Sequence, residues 1–351
     1  MRQIVPVQGG INNAAPKRWG LVRASCSRRE RDAPTVHRPN LLLRYFRRPA
    51  LVGLLASFVA LVDLPATAQS SSAQSSTTQI ASKTFETFAD WCFNKAQLAP
   101  EVRHTVEVLL AEAGTQACDR AEDRLVNQEE LSLADRQIVD VAPLAALKNL
   151  TKLWLSGNHI EYLAPLAALK HLKFLDLTNN KIANIAPLAA LKNLTLLGLR
   201  GNQIVDVRPL ANLPQLQLLG LSENKIEDTA PLIALSELIG LGLNRNKIVD
   251  VAPLATLENL AVLSLHDNEI VDVAPLANLT YLTQLGLNDN KIVDVAPLAR
   301  LTRLSGLQLR GNKIVDAFPL VTLSGLESLD LRKNPLNQQT CPVQPETICQ
   351  F

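Results

Sequence analysis

The sequence is poor in aromatic residues: only 4% of its 351 residues are Phe, Trp or Tyr, although 47% are hydrophobic, and it has a single Met. One large irregular core would use more aromatic side chains. The apolar residues are instead mostly Leu, Ile, Val and Ala. This bias indicates many small, similar packing layers.

Motifs for catalysis and for metal or nucleotide binding are also lacking. The sequence contains no HExxH, GxSxG, P-loop or CxxC pattern and no clustered histidines. The pair Gly240 and Gly242 resembles part of a dinucleotide motif only because the repeat described below dictates its spacing. We therefore predict a protein that is not an enzyme, with no metal site and no cofactor.

Basic residues are concentrated at the amino terminus. Residues 1–68 contain 11 Lys and Arg and 3 Asp and Glu; subtracting these from the totals of 35 and 33 leaves 24 and 30 in residues 69–351. The greater part of the chain is therefore mildly acidic, and nothing in it predicts nucleic-acid binding.

Residues 1–68 have the pattern of a leader with a secretory signal peptide. Arg44, Arg47 and Arg48 precede the apolar run 50–62, and Ala66-Thr67-Ala68 follows as an A-x-A cleavage site. The alternative is a retained membrane anchor. The run is about 13 residues long and a spanning helix needs about 20, which favours cleavage near Ala68. The predicted location is secreted, periplasmic or on the cell surface.

Four of the five cysteines flank residues 131–336 as two local pairs, Cys92 with Cys118 and Cys341 with Cys349. An even number of cysteines in an exported chain predicts disulfides. The repeats described below predict a long rod, and pairing Cys92 with Cys341 would join its opposite ends, so the local pairs are favoured.

Two short regions precede the repeats. Residues 69–83 are rich in Ser, Thr and Gln and predict a flexible linker. Residues 84–130 predict a helical N-terminal cap of two or three helices. Pro100 suits the first turn of one helix, and Gly114 suits its carboxyl end.

Residues 131–336 are built from a 22-residue repeat. Nine asparagines recur at this spacing, each after an L-x-x-L-x-L-x-x segment: Asn158, Asn180, Asn202, Asn224, Asn246, Asn268, Asn290, Asn312 and Asn334. A degenerate unit, residues 131–146, has Arg136 in the Asn position. The L-x-L alternation predicts a short strand with its leucines inward, and a buried Asn can satisfy turn amides that the strands leave unpaired. Stacked units bury the apolar face that one unit leaves open.

The pattern LxxLxxLxLxxNxIxDVAPLAx resembles the leucine-rich repeats of internalins and related bacterial surface proteins. Residues 87–119 also resemble the N-terminal region of secreted cyanobacterial leucine-rich repeat proteins. The resemblance implies an α/β repeat solenoid, a right-handed horseshoe with a concave parallel sheet. It also implies that a ligand, usually a protein, binds on that sheet. The last unit departs from the pattern at Pro335, and we expect residues 337–351 to form a C-terminal cap tail.

A column of acidic residues allows two interpretations. Seven aspartates share one repeat position: Asp140, Asp206, Asp228, Asp250, Asp272, Asp294 and Asp316. They predict either a calcium ladder or a set of caps that accept turn amides. We favour the caps. Lys225, Lys247, Lys291 and Lys313, three residues before four of them, are expected to offset their mutual repulsion.

The variable strand positions predict an outward-facing apolar strip across four consecutive coils, formed by Trp154, Phe174, Leu196 and Leu218. Exposed apolar patches usually mark binding sites, and aromatic residues are frequent anchors. Glycines beside Leu196 and Leu218 would let a partner backbone approach closely. Val262 lies farther along the same face, and Arg200, His266, Arg310 and Arg332 at the strand ends are expected to form a polar rim.

These observations predict a non-catalytic extracytoplasmic interaction module that binds a protein partner through the concave face of the repeat sheet. The alternative is a glycan-binding or cell-wall-binding structural protein of the envelope. We expect a monomer and no nucleic-acid partner. Peripheral association with the envelope is one option for its location.

Overall fold

The structure is a computed structural model that describes residues 85–351. The predicted leader, the predicted linker and Cys26 lie outside the described residues. The described part begins with three α-helices: α1 (Phe88–Phe93), α2 (Pro100–Glu112) and α3 (Cys118–Leu125). A 3₁₀ helix at Lys95–Gln97 lies between α1 and α2. The predicted helical N-terminal cap is confirmed.

The ends of α2 follow from its sequence. Pro100 occupies its first turn, where the missing N–H costs no hydrogen bond. Gly114 has φ +61°, and the Thr115 N–H donates to the Leu110 carbonyl at 3.3 Å. Because a side chain is strained in this left-handed conformation, glycine is the favoured residue for closing the helix. Val106 and Leu109 of α2 are fully buried.

A disulfide holds two helices of the cap together, and a hydrogen bond links the cap to the first coil. The Thr87 hydroxyl and the Asp90 carboxylate form a reciprocal capping box at the start of α1. A disulfide joins Cys92 of α1 to Cys118 of α3. The Thr105 hydroxyl of α2 donates to the Asp140 carbonyl at 2.6 Å, which links the cap to the repeats.

Within the described residues, eleven strands form one parallel sheet in chain order. They are β1 (Glu130–Ser132), β2 (Lys152–Trp154), β3 (Phe174–Asp176), β4 (Leu196–Gly198), β5 (Leu218–Gly220), β6 (Gly240–Gly242), β7 (Val262–Ser264), β8 (Gln284–Gly286), β9 (Gly306–Gln308), β10 (Ser328–Asp330) and β11 (Cys349–Gln350). The repeat solenoid with a parallel sheet is therefore confirmed.

The strands pair in register with the 22-residue repeat. Leu153 of β2 pairs with Leu175 of β3, which pairs with Leu197 of β4. These central leucines are completely buried. Because neighbouring residues of a strand point to opposite faces, the first and third residue of each strand lie on the outer surface of the sheet. We call this surface the sheet face.

The opposite side of the solenoid consists of short 3₁₀ helices, one in each coil. They are Ala142–Ala146, Ala164–Ala168, Ala186–Ala190, Arg208–Asn212, Ala230–Ala234, Ala252–Thr256, Ala274–Asn278, Ala296–Arg300 and Phe318–Thr322. Each has Pro in its first turn, such as Pro165, where the fixed φ and the missing donor are tolerated. Each also buries a leucine, such as Leu166, against the central leucines of the strands.

The recurrent asparagines form a ladder between successive coils. The Asn246 Oδ1 accepts the N–H of Ile226 in the preceding coil at 3.0 Å. Its Nδ2 donates to the carbonyls of Leu221 and Leu243, both at 3.0 Å. The same bonds recur at Asn180, whose Oδ1 accepts from Ile160 at 3.0 Å. Each side chain therefore satisfies turn amides, as predicted, and also bridges two coils.

The C-terminal tail adds to the sheet and to the core. Cys349 of β11 pairs with Leu329 of β10, and Val343 is almost completely buried. A disulfide joins Cys341 to Cys349, and a 3₁₀ helix at Glu346–Ile348 precedes β11. A solenoid needs such a closing segment because its last apolar layer would otherwise face water.

Candidate functional site

The first half of the sheet face has an apolar cluster. The Trp154 and Phe174 rings are 4.8 Å apart between centroids and inclined by 42°. Phe174 pairs with Leu196 of the next strand. All three side chains are half-buried, so part of each is exposed to water. We call Trp154, Phe174 and Leu196 the Trp154 cluster.

The predicted apolar strip is shorter than the sequence suggested. Leu218 pairs with Leu196 but is only 7% exposed, so the prediction that it contributes exposed surface is wrong. Val262 of β7 is half-buried, and its register partners are Gly240 and Gln284. It is therefore separated from the Trp154 cluster.

Glycines on the sheet face accommodate side chains of the preceding coil. A Cβ atom on Gly198 would lie 2.8 Å from the Asp176 Oδ1. A Cβ atom on Gly286 would overlap the His266 ring. The expectation that glycine beside Leu196 gives a partner backbone close access is therefore wrong for Gly198, because the Asp176 carboxylate already lies over it.

The later coils bond to one another along the end of their strands. The Ser222 hydroxyl accepts the Asn244 N–H at 3.1 Å, and the Asn244 Oδ1 accepts the His266 N–H at 2.9 Å. The series continues as His266 Nδ1 accepts the Asn288 N–H at 3.0 Å, and Asn288 Oδ1 accepts the Arg310 N–H at 2.9 Å. We call these residues the edge ladder.

His266 is part of this ladder rather than of a polar rim. It is only 8% exposed, and its Nδ1 accepts a backbone N–H, which leaves the ring proton on Nε2 in the neutral form. The Asn244 Oδ1 also accepts the Ser264 hydroxyl at 2.7 Å. The prediction that His266 lies at an exposed rim is therefore wrong, because the next coil covers and bonds its side chain.

The predicted rim arginines form ion pairs within the chain. Arg200 lies 3.0 Å from the Glu223 carboxylate, which also contacts Arg245 at 2.8 Å. Arg310 pairs with Asp289 at 2.6 Å, and Arg332 pairs with Asp330 at 2.7 Å. Glu223 and Asp289 belong to coils next to those of Arg200 and Arg310, whereas Asp330 lies in the same coil as Arg332. The arginines predicted to form a polar rim are therefore paired with carboxylates of the same chain.

The aspartate column caps the 3₁₀ helices, as predicted. Asp250 Oδ1 accepts the Ala252 N–H at 2.8 Å, and Asp228 Oδ1 accepts the Ala230 N–H at 2.8 Å. Among residues 85–351, no group of three or more His, Cys, Asp and Glu side chains is arranged to hold a metal ion.

Two of the four lysines expected to offset the aspartate column pair with glutamates instead. Lys247 pairs with Glu227 at 3.1 Å and Lys291 with Glu269 at 2.9 Å. The hydrogen bond and charge of Lys291 lower the pKa of Glu269 below its usual value. In the aspartate column itself, hydrogen bonds from the side chain and N–H of Arg208 lower the pKa of Asp206 to about 2.

Two surface features were missed from the sequence. Val249, Val271, Val293 and Val315 form a row of exposed side chains beside the aspartate column. Lys148, Lys170 and Lys192 form a second exposed row in the turn that precedes β2, β3 and β4, and we call it the lysine row. Alignment of the repeats would have revealed both rows, because each occupies one repeat position.

None of the helices in the described residues is long and apolar enough to span a membrane.

The chain is similar to known leucine-rich repeat proteins. The family model described as leucine rich repeats (2 copies) matches residues 148–190 and 192–234. An internalin from Listeria monocytogenes has 30% identity, covers 68% of this chain and 79% of its own, and has a TM-score of 0.60. Internalin C2 of the same species has 32% identity, covers 66% and 91%, and has a TM-score of 0.49.

A plant protein has a similar fold. The ectodomain of the membrane receptor kinase GASSHO1/SCHENGEN3 from Arabidopsis thaliana, in complex with CASPARIAN STRIP INTEGRITY FACTOR 2, has 26% identity and a TM-score of 0.52. The similar region covers 60% of this chain and 27% of the plant chain. No curated protein sequence matches the chain. The identity with the first internalin, over most of its length, shows that this chain belongs to the internalin-like bacterial leucine-rich repeat proteins.

Proposed function

We propose that this chain is a non-catalytic, exported interaction module that binds a protein partner through the sheet face of its first three coils, residues 147–212. The observation that carries the proposal is the Trp154 cluster. Its two aromatic rings and one leucine lie on an open sheet with part of each side chain exposed. Aromatic and aliphatic groups of this kind are the usual anchors of protein interfaces.

The later coils differ from the first three in a way that supports this choice. In the later coils, the edge ladder and the ion pairs at Glu223 and Asp289 occupy the polar groups along the strand ends. A partner there would have to replace bonds that already exist within the chain, which weakens its net gain. The Trp154 cluster gains from burial without that loss.

The comparisons support a protein ligand at the level of the family. The plant ectodomain was solved in complex with CASPARIAN STRIP INTEGRITY FACTOR 2, so a leucine-rich repeat solenoid of similar fold binds another molecule. The two disulfides are typical of an oxidising compartment, which agrees with export.

The test is affinity capture from an extract of the source cells, with the full-length chain as bait. Phe174→Ser combined with Leu196→Ser should abolish capture of partners that the unchanged chain retains. Val249→Ser combined with Val271→Ser is the matched control. It also removes two apolar side chains, but outside the sheet face, and should leave capture intact.

Thermal unfolding of both double variants shows whether either change damages the fold. The control valines are exposed and Phe174 and Leu196 are half-buried, so we expect small changes in melting temperature. Capture that survives the Phe174→Ser, Leu196→Ser change in a folded protein would contradict the proposed surface.

A further inference from the structure

The charge of the solenoid is divided between its two ends. The first three coils, residues 147–212, contain 8 Lys and Arg and 3 Asp and Glu, a net charge of +5 with histidine neutral. The later coils, residues 213–336, contain 10 and 14, a net charge of −4. The Trp154 cluster therefore lies in the basic part of a solenoid whose other part is acidic.

The lysine row lies in the same three coils as the apolar cluster. The Lys170 and Lys192 ammonium groups also donate to the Ala190 and Asn212 carbonyls, each at the end of the following 3₁₀ helix, at 3.4 Å and 2.9 Å. Lys148, Lys170 and Lys192 occupy the turn before β2, β3 and β4, the strands that carry Trp154, Phe174 and Leu196. The next three coils have Pro214, Ser236 and Glu258 at the same repeat position. The basic row thus ends at the coil where the apolar cluster ends.

Two further lysines lie closer to the cluster. Lys173 immediately precedes Phe174 and is exposed. Lys152 lies on the sheet face and contacts Glu130 at 2.6 Å, but both side chains are about half exposed, so water screens this pair. Besides Glu130, the Asp176 carboxylate lies on this part of the sheet face, where its Oδ1 accepts the Thr178 N–H at 3.0 Å.

We propose that the partner bound by the sheet face presents an acidic segment with an apolar or aromatic anchor. This inference rests on the proposed function and adds the chemistry of the partner. The anchor packs on the Trp154 cluster, and carboxylates face the lysine row. A positive row beside an apolar patch favours such a segment, because complementary charges speed association and exclude basic competitors.

An acidic glycan is the other occupant with suitable charge. Sugar rings stack best on a flat aromatic surface. Here the two rings are inclined by 42° and pack against each other, so neither offers an open platform across the coils. Leu196 extends the surface with aliphatic groups, which suits the side chains of a protein segment.

The test uses a phage-displayed library of random dodecapeptides, selected on the purified full-length chain. Enriched peptides should carry net negative charge and at least one Phe, Trp, Leu or Ile. Their affinity should fall as NaCl rises from about 0.1 M to about 1 M, since the screening length shortens from about 10 Å to about 3 Å. Lys148→Glu combined with Lys170→Glu should weaken them roughly tenfold.

Lys225→Glu combined with Lys313→Glu is the matched control. Both lysines are exposed and lie in later coils, and the change in net charge is the same. This control should alter affinity much less than the Lys148→Glu, Lys170→Glu change. Equal losses would show that net charge alone matters and would overturn the assignment to the lysine row.

The remaining outcomes separate this inference from the proposed function. Peptides without acidic excess that still require Phe174 and Leu196 would overturn the charge inference and leave the proposed function standing. Peptides that bind the Phe174→Ser, Leu196→Ser variant equally well would contradict the proposed surface itself. Failure to enrich acidic peptides, together with heparin binding that depends on the lysine row, would overturn the inference in favour of an acidic glycan.

Discussion

The first three coils and the later coils have the same interior but different sheet faces. In both, central leucines and ladder asparagines are buried and the strands pair in one register. On the sheet face, the first coils expose part of Trp154, Phe174 and Leu196. The later coils instead bury Asn244 and His266 in the edge ladder.

This difference shows that one repeat can use its outer strand positions in two ways. The interior must be filled in every coil, because each coil buries the apolar face of the next. The outer positions are not constrained in that way. At these positions the first coils leave apolar groups at the surface, where a partner can cover them. The later coils have mostly Gly, Ser and Gln there, and the residues just beyond their strands form the edge ladder.

Substitution of a buried ladder asparagine should lower the free energy of unfolding equally in the two regions. Asn180→Ala and Asn246→Ala each remove one acceptor for an Ile N–H and one donor to two Leu carbonyls. Leaving these buried groups unpaired should lower the free energy of unfolding by about 3 kcal/mol in either variant. Urea unfolding followed by circular dichroism measures it, and a loss confined to one region would contradict the shared interior.

Substitutions just beyond the strand ends should lower the free energy of unfolding more in the later coils than in the first three. Asn244→Ala removes the acceptor for the His266 N–H and the Ser264 hydroxyl, and should lower the free energy of unfolding by about 2 kcal/mol. Thr178 occupies the same repeat position in the first coils, where Asp176 accepts its N–H. Thr178→Ala should therefore cost less than about 1 kcal/mol. Similar losses of unfolding free energy in the two variants, measured in the same way, would contradict the difference between the first three coils and the later coils.

Lowering the pH should have the smallest effect on stability, and it should destabilise both regions. Arg208 lowers the pKa of Asp206 to about 2 from 3.8. Burial raises the pKa of Asp330, but hydrogen bonds from Arg332 lower it by more, so the net shift is downward. A carboxyl group with a lowered pKa stabilises the fold above its unfolded pKa of about 4 and loses that contribution as the pH falls through its folded pKa.

Thermal unfolding should therefore shift to lower temperature between pH 4 and pH 2, the window set by Asp206. Asp206→Asn should reduce this shift slightly, because the side chain is exposed and water screens its pair with Arg208. An unchanged pH profile in the Asp206→Asn variant would show that this pair does not affect stability.

The sequence predicted the repeated interior well because each unit contains the information for it. The asparagine spacing, the inward leucines and the capping aspartates all recur at fixed positions, and the structure has the same arrangement. The sheet face was predicted less well. The burial of Leu218 and His266, and the Asp176 carboxylate over Gly198, depend on which side chain the neighbouring coil supplies. That pairing is visible only once the coils are stacked.

The most direct test of the account places a photo-crosslinking residue on each side of the solenoid. Benzoylphenylalanine replaces Phe174 on the sheet face in one full-length variant, and Phe318 in the other. Phe318 is 70% exposed and begins a 3₁₀ helix on the opposite side. Irradiation in an extract of the source cells should join a protein partner at position 174 and none at position 318. Crosslinking at 318 without crosslinking at 174 would contradict binding through the sheet face.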